Sequence, residues 1–182
     1  MCGIIGIASK NDCINDIISG LYSLEYRGYD SSGLATIKNN QFQYNKNIGK
    51  ILNLEKSVKN RKLTGKIAIA HTRWATHGKP ALKNSHPFIK DNTVLVHNGI
   101  IENYTDLLSQ YSINKKNIKS DTDSEIIAEI YNKLLNKFNN PVEAIKNLNK
   151  KIIGSFAFAF LVHGSNSIFV TRRGSPLVLG IG

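Results

Sequence analysis

Met1-Cys2-Gly3-Ile4-Ile5-Gly6-Ile7-Ala8 opens the chain and places a cysteine between the initiator methionine and a short apolar run. The run over residues 3–8 predicts a buried β-strand. Because small second residues permit removal of the methionine, we expect Cys2 to become the N-terminal residue. It would then carry a thiol and an α-amine, and a free α-amine with a pKa of about 7.7–8.0 can accept the thiol proton. The stretch therefore predicts a nucleophile that carries its own base, unless the cysteine stands there by chance.

Apolar spacing and turn residues outline the rest of the fold. A helix is predicted over residues 12–24, with Asp12 as its N-cap, and a hairpin turns at Asn39-Asn40 between residues 34–37 and 41–44. Further strands are predicted at 66–71, 93–97, 155–162 and 167–171. Further helices are predicted at 51–58, 102–110, 124–138 and 141–150. Strands occur in blocks near both ends and do not alternate strictly with helices, which favours an α+β fold with largely antiparallel sheets.

Length and composition indicate one ordinary globular domain. The 182 residues are 41% hydrophobic and 20% charged, which is enough to bury a core. No apolar run reaches the roughly 18 residues that a membrane span needs. No basic segment precedes the first apolar run, so we expect no signal peptide and a cytoplasmic location.

The net charge of +11 and the pI of about 9.7 raise the question of nucleic-acid binding. Nineteen of the 24 basic residues are lysines spread along the chain, beside 21 asparagines and many isoleucines. These three residue types share A/T-rich codons, so genome bias explains the charge more simply than a phosphate-binding face. We therefore expect neither a nucleic-acid partner nor a membrane partner.

The segment His97-Asn98-Gly99 is predicted to end a strand. There the side-chain amide of Asn98 and the backbone N–H of Gly99 could converge on one point and form an oxyanion hole. One such donor typically lowers a barrier by about 3–4 kcal/mol. The alternative is a simple Asn-Gly turn.

Three further residues could contact a small substrate. Arg73 follows a predicted strand, where its planar guanidinium could clamp a carboxylate. Asp123, at the start of a predicted helix, could hold an ammonium group, although capping the helix is the commoner role. An arginine and an aspartate together would recognise a free amino acid. Trp74 could form a lid, or it could simply pack in the core.

The remaining titratable residues give no cofactor signal. Cys13 is interpreted as a buried thiol that is not paired with Cys2. The five histidines show no metal-ligand spacing, and no glycine-rich phosphate-binding motif occurs. We therefore expect no metal and no cofactor.

Six motifs in order resemble the class II glutamine amidotransferases, and this resemblance runs from Cys2 to the last residue. The matching segments are residues 1–6, Glu25-Tyr-Arg-Gly-Tyr-Asp-Ser-Ser-Gly33, His71-Thr-Arg-Trp-Ala-Thr-His-Gly78, His97-Asn-Gly-Ile-Ile-Glu-Asn103, residues 120–125 and Gly174-Ser-Pro-Leu177. The resemblance implies an N-terminal nucleophile fold, a four-layer αββα sandwich with two antiparallel sheets. It also implies that Cys2 attacks glutamine, that its own amine is the base, and that Asn98 and Gly99 form the oxyanion hole.

The resemblance further implies how the substrate is held. Arg73 would bind the α-carboxylate of glutamine and Asp123 its α-amine, with Thr76 and His77 lining the pocket. Arg27 would brace the catalytic terminus, and Trp74 would stand at the entrance to an ammonia path.

Within the family, residues 25–30 and 74–78 are more similar to enzymes that aminate a sugar phosphate than to amidophosphoribosyltransferases. The resemblance then implies that residues 2–182 are an incomplete glutaminase domain. The sugar-isomerase domains that bind fructose 6-phosphate would be missing, the full-length enzyme could be a homodimer, and the shortened sheet could have an unpaired edge. A truncated, non-catalytic remnant stays open as an alternative.

Overall fold

The computed structural model describes residues 2–75 and 78–182 of the chain. Within those residues the strands are β1 (Gly3–Ala8), β2 (Ser31–Lys38), β3 (Gln41–Ile48), β4 (Ile67–Arg73), β5 (Phe88–Lys90), β6 (Thr93–Ile101), β7 (Gly154–Val162) and β8 (Ile168–Arg173). The α-helices are α1 (Ile14–Leu24), α2 (Ile51–Asn60), α3 (Tyr104–Gln110), α4 (Asp123–Phe138) and α5 (Pro141–Lys151). Short 3-10 turns lie at Glu25–Arg27, Leu82–Asn84 and Lys115–Asn117.

The strands form two antiparallel four-stranded sheets. The first sheet has the order β1-β4-β2-β3, and the second has the order β5-β6-β7-β8. In the first sheet, Gly3 lies opposite Thr72, so the start of β1 is beside the end of β4. In the second sheet, Asn98 lies opposite Ala157 in the middle of the β6–β7 pair.

Three apolar clusters show how the layers stack. Small and β-branched residues fill the space between the sheets: Ala35, Ile69, Val94, Val96, Ala159 and Leu161. Helices α1 and α2 cover the outer face of the first sheet through Ile17, Leu21 and Leu54. Helices α3, α4 and α5 cover the outer face of the second sheet through Leu107, Tyr131 and Leu148. The result is a four-layer αββα sandwich, as expected.

Most of the predicted elements are confirmed, including the first hairpin. Its turn residues Asn39 and Asn40 both have positive φ, at 50° and 57°, which suits the tight turn between right-twisted strands. Helix α5 begins with Pro141, and the side chain of Asn140 accepts hydrogen bonds from the first free N–H groups of that helix.

The predicted N-cap at Asp12 is wrong. Helix α1 begins at Ile14 with Cys13 as its N-cap residue. The carboxylate of Asp12 accepts from the Ile14 amide at 3.2 Å and from the Gly65 amide at 2.6 Å. Asp12 therefore ties the start of α1 to the loop before β4.

One strand was missed, and the end of another differs from the prediction at the candidate site. The three-residue β5 was not predicted because so short a segment shows no periodicity. β6 does not end at His97 but runs to Ile101, paired with β7 along its full length, so the Asn-Gly turn does not form. Among the described residues, no helix is both long and apolar enough to cross a membrane.

Candidate active site

The thiol of Cys2 lies against the backbone at the end of β4. Its Sγ is 3.4 Å from the amide nitrogen of Trp74 and 3.7 Å from the carbonyl oxygen of the same residue. Cys2 is partly exposed, whereas Cys13 is fully buried, with its Sγ 3.8 Å from the Ile7 carbonyl. Burial raises the pKa of the Cys13 thiol to about 11, so Cys13 is poorly suited to react as a thiolate near neutral pH.

Two side chains fix the backbone of Cys2. The Nε of Arg27 donates to the Cys2 carbonyl oxygen at 3.2 Å, and the Nδ2 of Asn98 donates to the same oxygen at 3.0 Å. Arg27 comes from the turn after α1, and Asn98 comes from the second sheet. The Cys2 carbonyl is therefore held from the turn after α1 and from the second sheet.

Gly99 occupies a backbone position that leaves no room for a side chain. Its φ is +139°, a conformation that side chains with a Cβ rarely adopt. A Cβ at this position would lie 2.1 Å from the carbonyl oxygen of Ser155 in the neighbouring strand. The close approach of β6 and β7 therefore requires glycine beside Asn98.

Arg73 is the last residue of β4 and is only 5% exposed. Its Nη2 donates to the Gly78 carbonyl at 3.3 Å. Burial lowers the pKa of its guanidinium, while the nearby groups of Cys2 and Asp30 oppose that shift. Even so, an arginine keeps its charge in proteins, so Arg73 brings a positive charge to the cleft.

The loop over residues 25–30 supports the backbone that faces the thiol. The Asp30 amide donates to the Arg73 carbonyl at 3.1 Å, and the Asp30 carboxylate accepts from the Ala75 amide. At Gly28 a Cβ would lie 2.5 Å from the carbonyl carbon of Arg73. This support was not predicted, although the many special residues of the segment mark it as more than a linker.

Trp74 does not pack in the core, so the default interpretation of a lone tryptophan is wrong. Its side chain is 42% exposed, and its ring makes an edge contact with Tyr29 at 5.4 Å between centroids. The backbone of Trp74 faces Cys2, while its ring is partly exposed.

Asp123 does not cap its own helix, contrary to the commoner role considered from the sequence. It is the first residue of α4, and its Oδ2 accepts from the Ile101 amide at 2.8 Å. Thr122 is the N-cap residue and makes no side-chain capping bond. The carboxylate therefore joins the end of β6 to the start of α4.

One cleft of about 290 Å³ brings together most of the predicted site residues. Those that line it are Cys2, Arg73, Trp74, Asn98, Gly99 and Asp123. We call Cys2, Arg73 and Trp74 the first-sheet side, and Asn98, Gly99 and Asp123 the second-sheet side. Arg27 lies outside this cleft and lines a separate apolar cavity of about 470 Å³ on the other side of Cys2. Thr76 and His77 lie outside the described residues.

Three histidines behind the cleft were not predicted as part of the site. His86 and His97 line the cleft, and His71 stacks on His86 with 4.0 Å between ring centroids. Burial lowers the pKa of all three, to about 3 for His71 and well below the usual value for His86. Near neutral pH they are therefore uncharged, which suits their close packing in the interior.

Within residues 2–75 and 78–182, no group of three or more His, Cys, Asp or Glu side chains is placed to hold a metal ion. The cleft instead combines a thiol, a side-chain amide and a glycine backbone with a buried cation and a carboxylate. Such a set can attack a carbonyl carbon, stabilise the resulting oxyanion and bind a zwitterionic ligand.

Comparison with known proteins agrees with this chemistry. Residues 71–178 match the family described as glutamine amidotransferase domain. The chain is 45% identical, over its full length, to glutamine–fructose-6-phosphate aminotransferase (isomerizing) of Francisella tularensis subsp. tularensis. It is 41% identical to the protein of the same name from Brucella suis biovar 1. In both cases it spans about 30% of the relative's length.

The solved structures agree on the fold. Glutamine phosphoribosylpyrophosphate amidotransferase from B. subtilis, complexed with ADP and GMP, superposes with a TM-score of 0.79 at 24% identity. That match covers 94% of this chain and 37% of the other. The sandwich is that of the N-terminal nucleophile hydrolases, and the chain belongs to the glutamine amidotransferase domain family.

Proposed function

We propose that residues 2–182 form a glutaminase unit in which Cys2 hydrolyses glutamine to glutamate and ammonia. The observation that carries the proposal is that Cys2, Arg73, Asn98, Gly99 and Asp123 line one cleft. Residues from both sheets and from the start of α4 meet there, although up to 121 positions separate them in the sequence (123 − 2). Family membership supplies glutamine as the substrate.

The reaction would begin with transfer of the thiol proton to the α-amine of Cys2, once the methionine is removed. The thiolate then attacks the side-chain amide carbon of glutamine and forms a tetrahedral oxyanion. The α-ammonium returns its proton to the leaving nitrogen, so that the C–N bond breaks and ammonia departs. Water then attacks the thioester, which releases glutamate and restores the thiol.

The second-sheet side would stabilise the oxyanion. The Nδ2 of Asn98 carries two hydrogens, of which one is needed for the Cys2 carbonyl at 3.0 Å. The other hydrogen and the N–H of Gly99 would donate to the oxyanion. Because both residues lie within the paired β6–β7 ladder, the donors are fixed before the charge develops.

The charged groups of the cleft would recognise the amino-acid end of glutamine. Arg73 would bind the α-carboxylate and Asp123 the α-ammonium, with Thr76 and His77 completing the pocket. Arg27 would brace Cys2 through its carbonyl, as its 3.2 Å contact supports. The exposed ring of Trp74 would stand at the entrance to an ammonia path.

We further propose that the ammonia is used to aminate fructose 6-phosphate. The support is the name shared by relatives that align with the whole chain at 41% and 45% identity. Amination would need sugar-isomerase domains beyond the glutaminase unit, and the full-length enzyme would be a homodimer.

The proposal is tested by the intact mass of the protein before and after treatment with 6-diazo-5-oxonorleucine, a glutamine-like electrophile. We expect loss of Met1 and addition of one label, no label in Cys2→Ala, and normal labelling in the matched Cys13→Ala. Glutamate release should be lost with the label. Retention of Met1 without labelling would favour the non-catalytic remnant, and labelling at Cys13 would contradict the assignment.

A further inference from the structure

The carboxylate of Asp123 is held by a chain of hydrogen bonds that the proposed reaction does not use. Its Oδ1 lies 3.2 Å from the hydroxyl of Ser124 and 3.7 Å from the Nδ1 of His97. The Ser124 hydroxyl and the His97 Nδ1 are themselves 2.9 Å apart. With the Ile101 amide at 2.8 Å from Oδ2, both carboxylate oxygens are engaged on the protein side.

The two residues behind Asp123 are almost fully buried. His97 and Ser124 are each 3% exposed, and the His97 ring packs against Phe158 with 4.7 Å between centroids. The side chain of Asp123 is 19% exposed and lines the cleft. The chain of contacts therefore runs from the space between the layers outward to the carboxylate that faces the ligand.

Charge decides the direction of these hydrogen bonds. A carboxylate only accepts, so the Ser124 hydroxyl donates to Asp123 and its oxygen is left to accept. A neutral imidazole satisfies that oxygen when its proton is on Nδ1, which gives the order His97 to Ser124 to Asp123. With the proton on Nε2 of His97, the Ser124 hydroxyl would have to donate to Nδ1 of His97. Asp123 would then lose one hydrogen-bond donor.

We infer that His97 and Ser124 are positioning residues that set the selectivity of the cleft for ligands with an α-ammonium group. The inference rests on the proposed function, because it concerns how Asp123 is aimed at the amino-acid substrate. At the first position of α4, an unrestrained aspartate could instead turn back toward the free N–H groups of the helix. The hydroxyl and the Ile101 amide hold it away from them.

The test compares glutamate with glutarate, which has the same two carboxylates and no amine. Each is used to protect the Cys2 thiol of the full chain from iodoacetamide, and the protection constants are measured. The preference for glutamate should fall about tenfold in Ser124→Ala, as expected for loss of one hydrogen bond to a charged group, while glutarate protection stays within about twofold. Ser124→Thr, which keeps the hydroxyl, should retain the preference.

Two further variants separate positioning from general damage. His97→Asn keeps a donor near the Nδ1 position and should lose less of the preference than His97→Leu. Ser109→Ala, at an exposed position of α3, should behave as wild type. An equal loss of protection by both ligands, or an unchanged preference in Ser124→Ala, would overturn the inference alone. Failure of glutamate to protect the wild-type protein would overturn the proposed function as well.

Discussion

The two sides of the cleft are built in different ways. On the first-sheet side, the backbone of residues 73–75 is supported by a loop, through Asp30 and the close approach at Gly28. On the second-sheet side, Asn98 and Gly99 lie in β6, which is paired with β7 along its full length. Oxyanion donors work best when they are fixed before the charge develops. The difference is that a strand ladder holds the proposed oxyanion donors, whereas a supporting loop holds the backbone beside the thiol.

The strongest way to break the second-sheet side is Gly99→Ala. The added Cβ would lie 2.1 Å from the Ser155 carbonyl oxygen, and the residue would have to keep a φ of +139°. For both reasons we expect the free energy of unfolding to fall by about 4 kcal/mol. Chemical denaturation measures the loss. Gly164→Ala is the matched control, because its φ is +78° with no atom within 4 Å, and it should cost only about 1 kcal/mol. Equal losses would show that β6 and β7 can separate freely.

Asn98→Ala tests the donor without the clash. We expect glutamate release to slow by about 10²–10³-fold because one oxyanion donor is lost. The exposed Asn92→Ala, in the turn before the same strand, is the control and should keep the wild-type rate. A loss below about tenfold would mean that Asn98 serves mainly to anchor the Cys2 carbonyl.

Arg73→Lys tests the charge on the first-sheet side. A lysine keeps the charge but cannot form the paired hydrogen bonds of a guanidinium, so we expect the KM for glutamine to rise about 30-fold with little change in kcat. Steady-state kinetics of glutamate release measure both constants. An unchanged KM would remove Arg73 from the glutamine pocket.

Acid should weaken the junction between the two sides, where His71 from β4 stacks on His86 ahead of β5. Burial lowers the pKa of both histidines in the folded protein. Below about pH 6.5 the two side chains are therefore protonated in the unfolded chain but remain neutral in the folded protein. Stability should therefore decrease as pH falls, by about 2 kcal/mol per histidine between pH 7 and pH 5.

The pH effect is measured as the urea midpoint at several pH values. His71→Asn should flatten the dependence, whereas replacement of the exposed His163 by Asn should leave it unchanged. A dependence that is the same in all three proteins would assign the acid sensitivity to the carboxylates instead.

The smallest effect is expected from the loop that supports the first-sheet side. Asp30→Ala removes the acceptor of the Ala75 amide and should cost about 1–2 kcal/mol of stability. The rate of Cys2 labelling should fall several-fold, because the Trp74 backbone no longer has a fixed place beside the thiol. Asp30→Asn keeps an acceptor oxygen and should restore most of that rate. Full labelling in Asp30→Ala would show that β4 alone holds the backbone.

The sequence predicts local features of this fold well. Helix α1 could be placed because Ile14, Ile17 and Leu21 recur at helical spacing and are all buried. The first hairpin could be placed because Asn39-Asn40 tolerates positive φ on both sides of the turn. Both signals depend only on residues that are close together along the chain, so the sequence contains all that is needed to recognise them.

The features that the sequence could not predict depend on contacts between residues far apart along the chain. The Asn98-Gly99 pair is typical of a turn, yet pairing with β7, more than 50 residues later (157 − 98 = 59), keeps it in a strand. Asp123 is typical of a cap, yet the Ile101 amide binds it instead. The cleft residues were candidates from their residue types and positions, and the family resemblance gave them roles, whereas their supports at Asp30, His97 and Ser124 emerge only from the contacts.

The anchoring of Cys2 through its carbonyl has a practical consequence. Arg27 and Asn98 both donate to the carbonyl oxygen of Cys2, and neither of these hydrogen bonds involves the α-amine. A purification tag fused ahead of Cys2 would leave this carbonyl oxygen free to accept both hydrogen bonds. The tag would nevertheless convert the α-amine of Cys2 to an amide, which cannot act as the proposed base. Affinity tags therefore belong at the C-terminus in any preparation meant for kinetic assays.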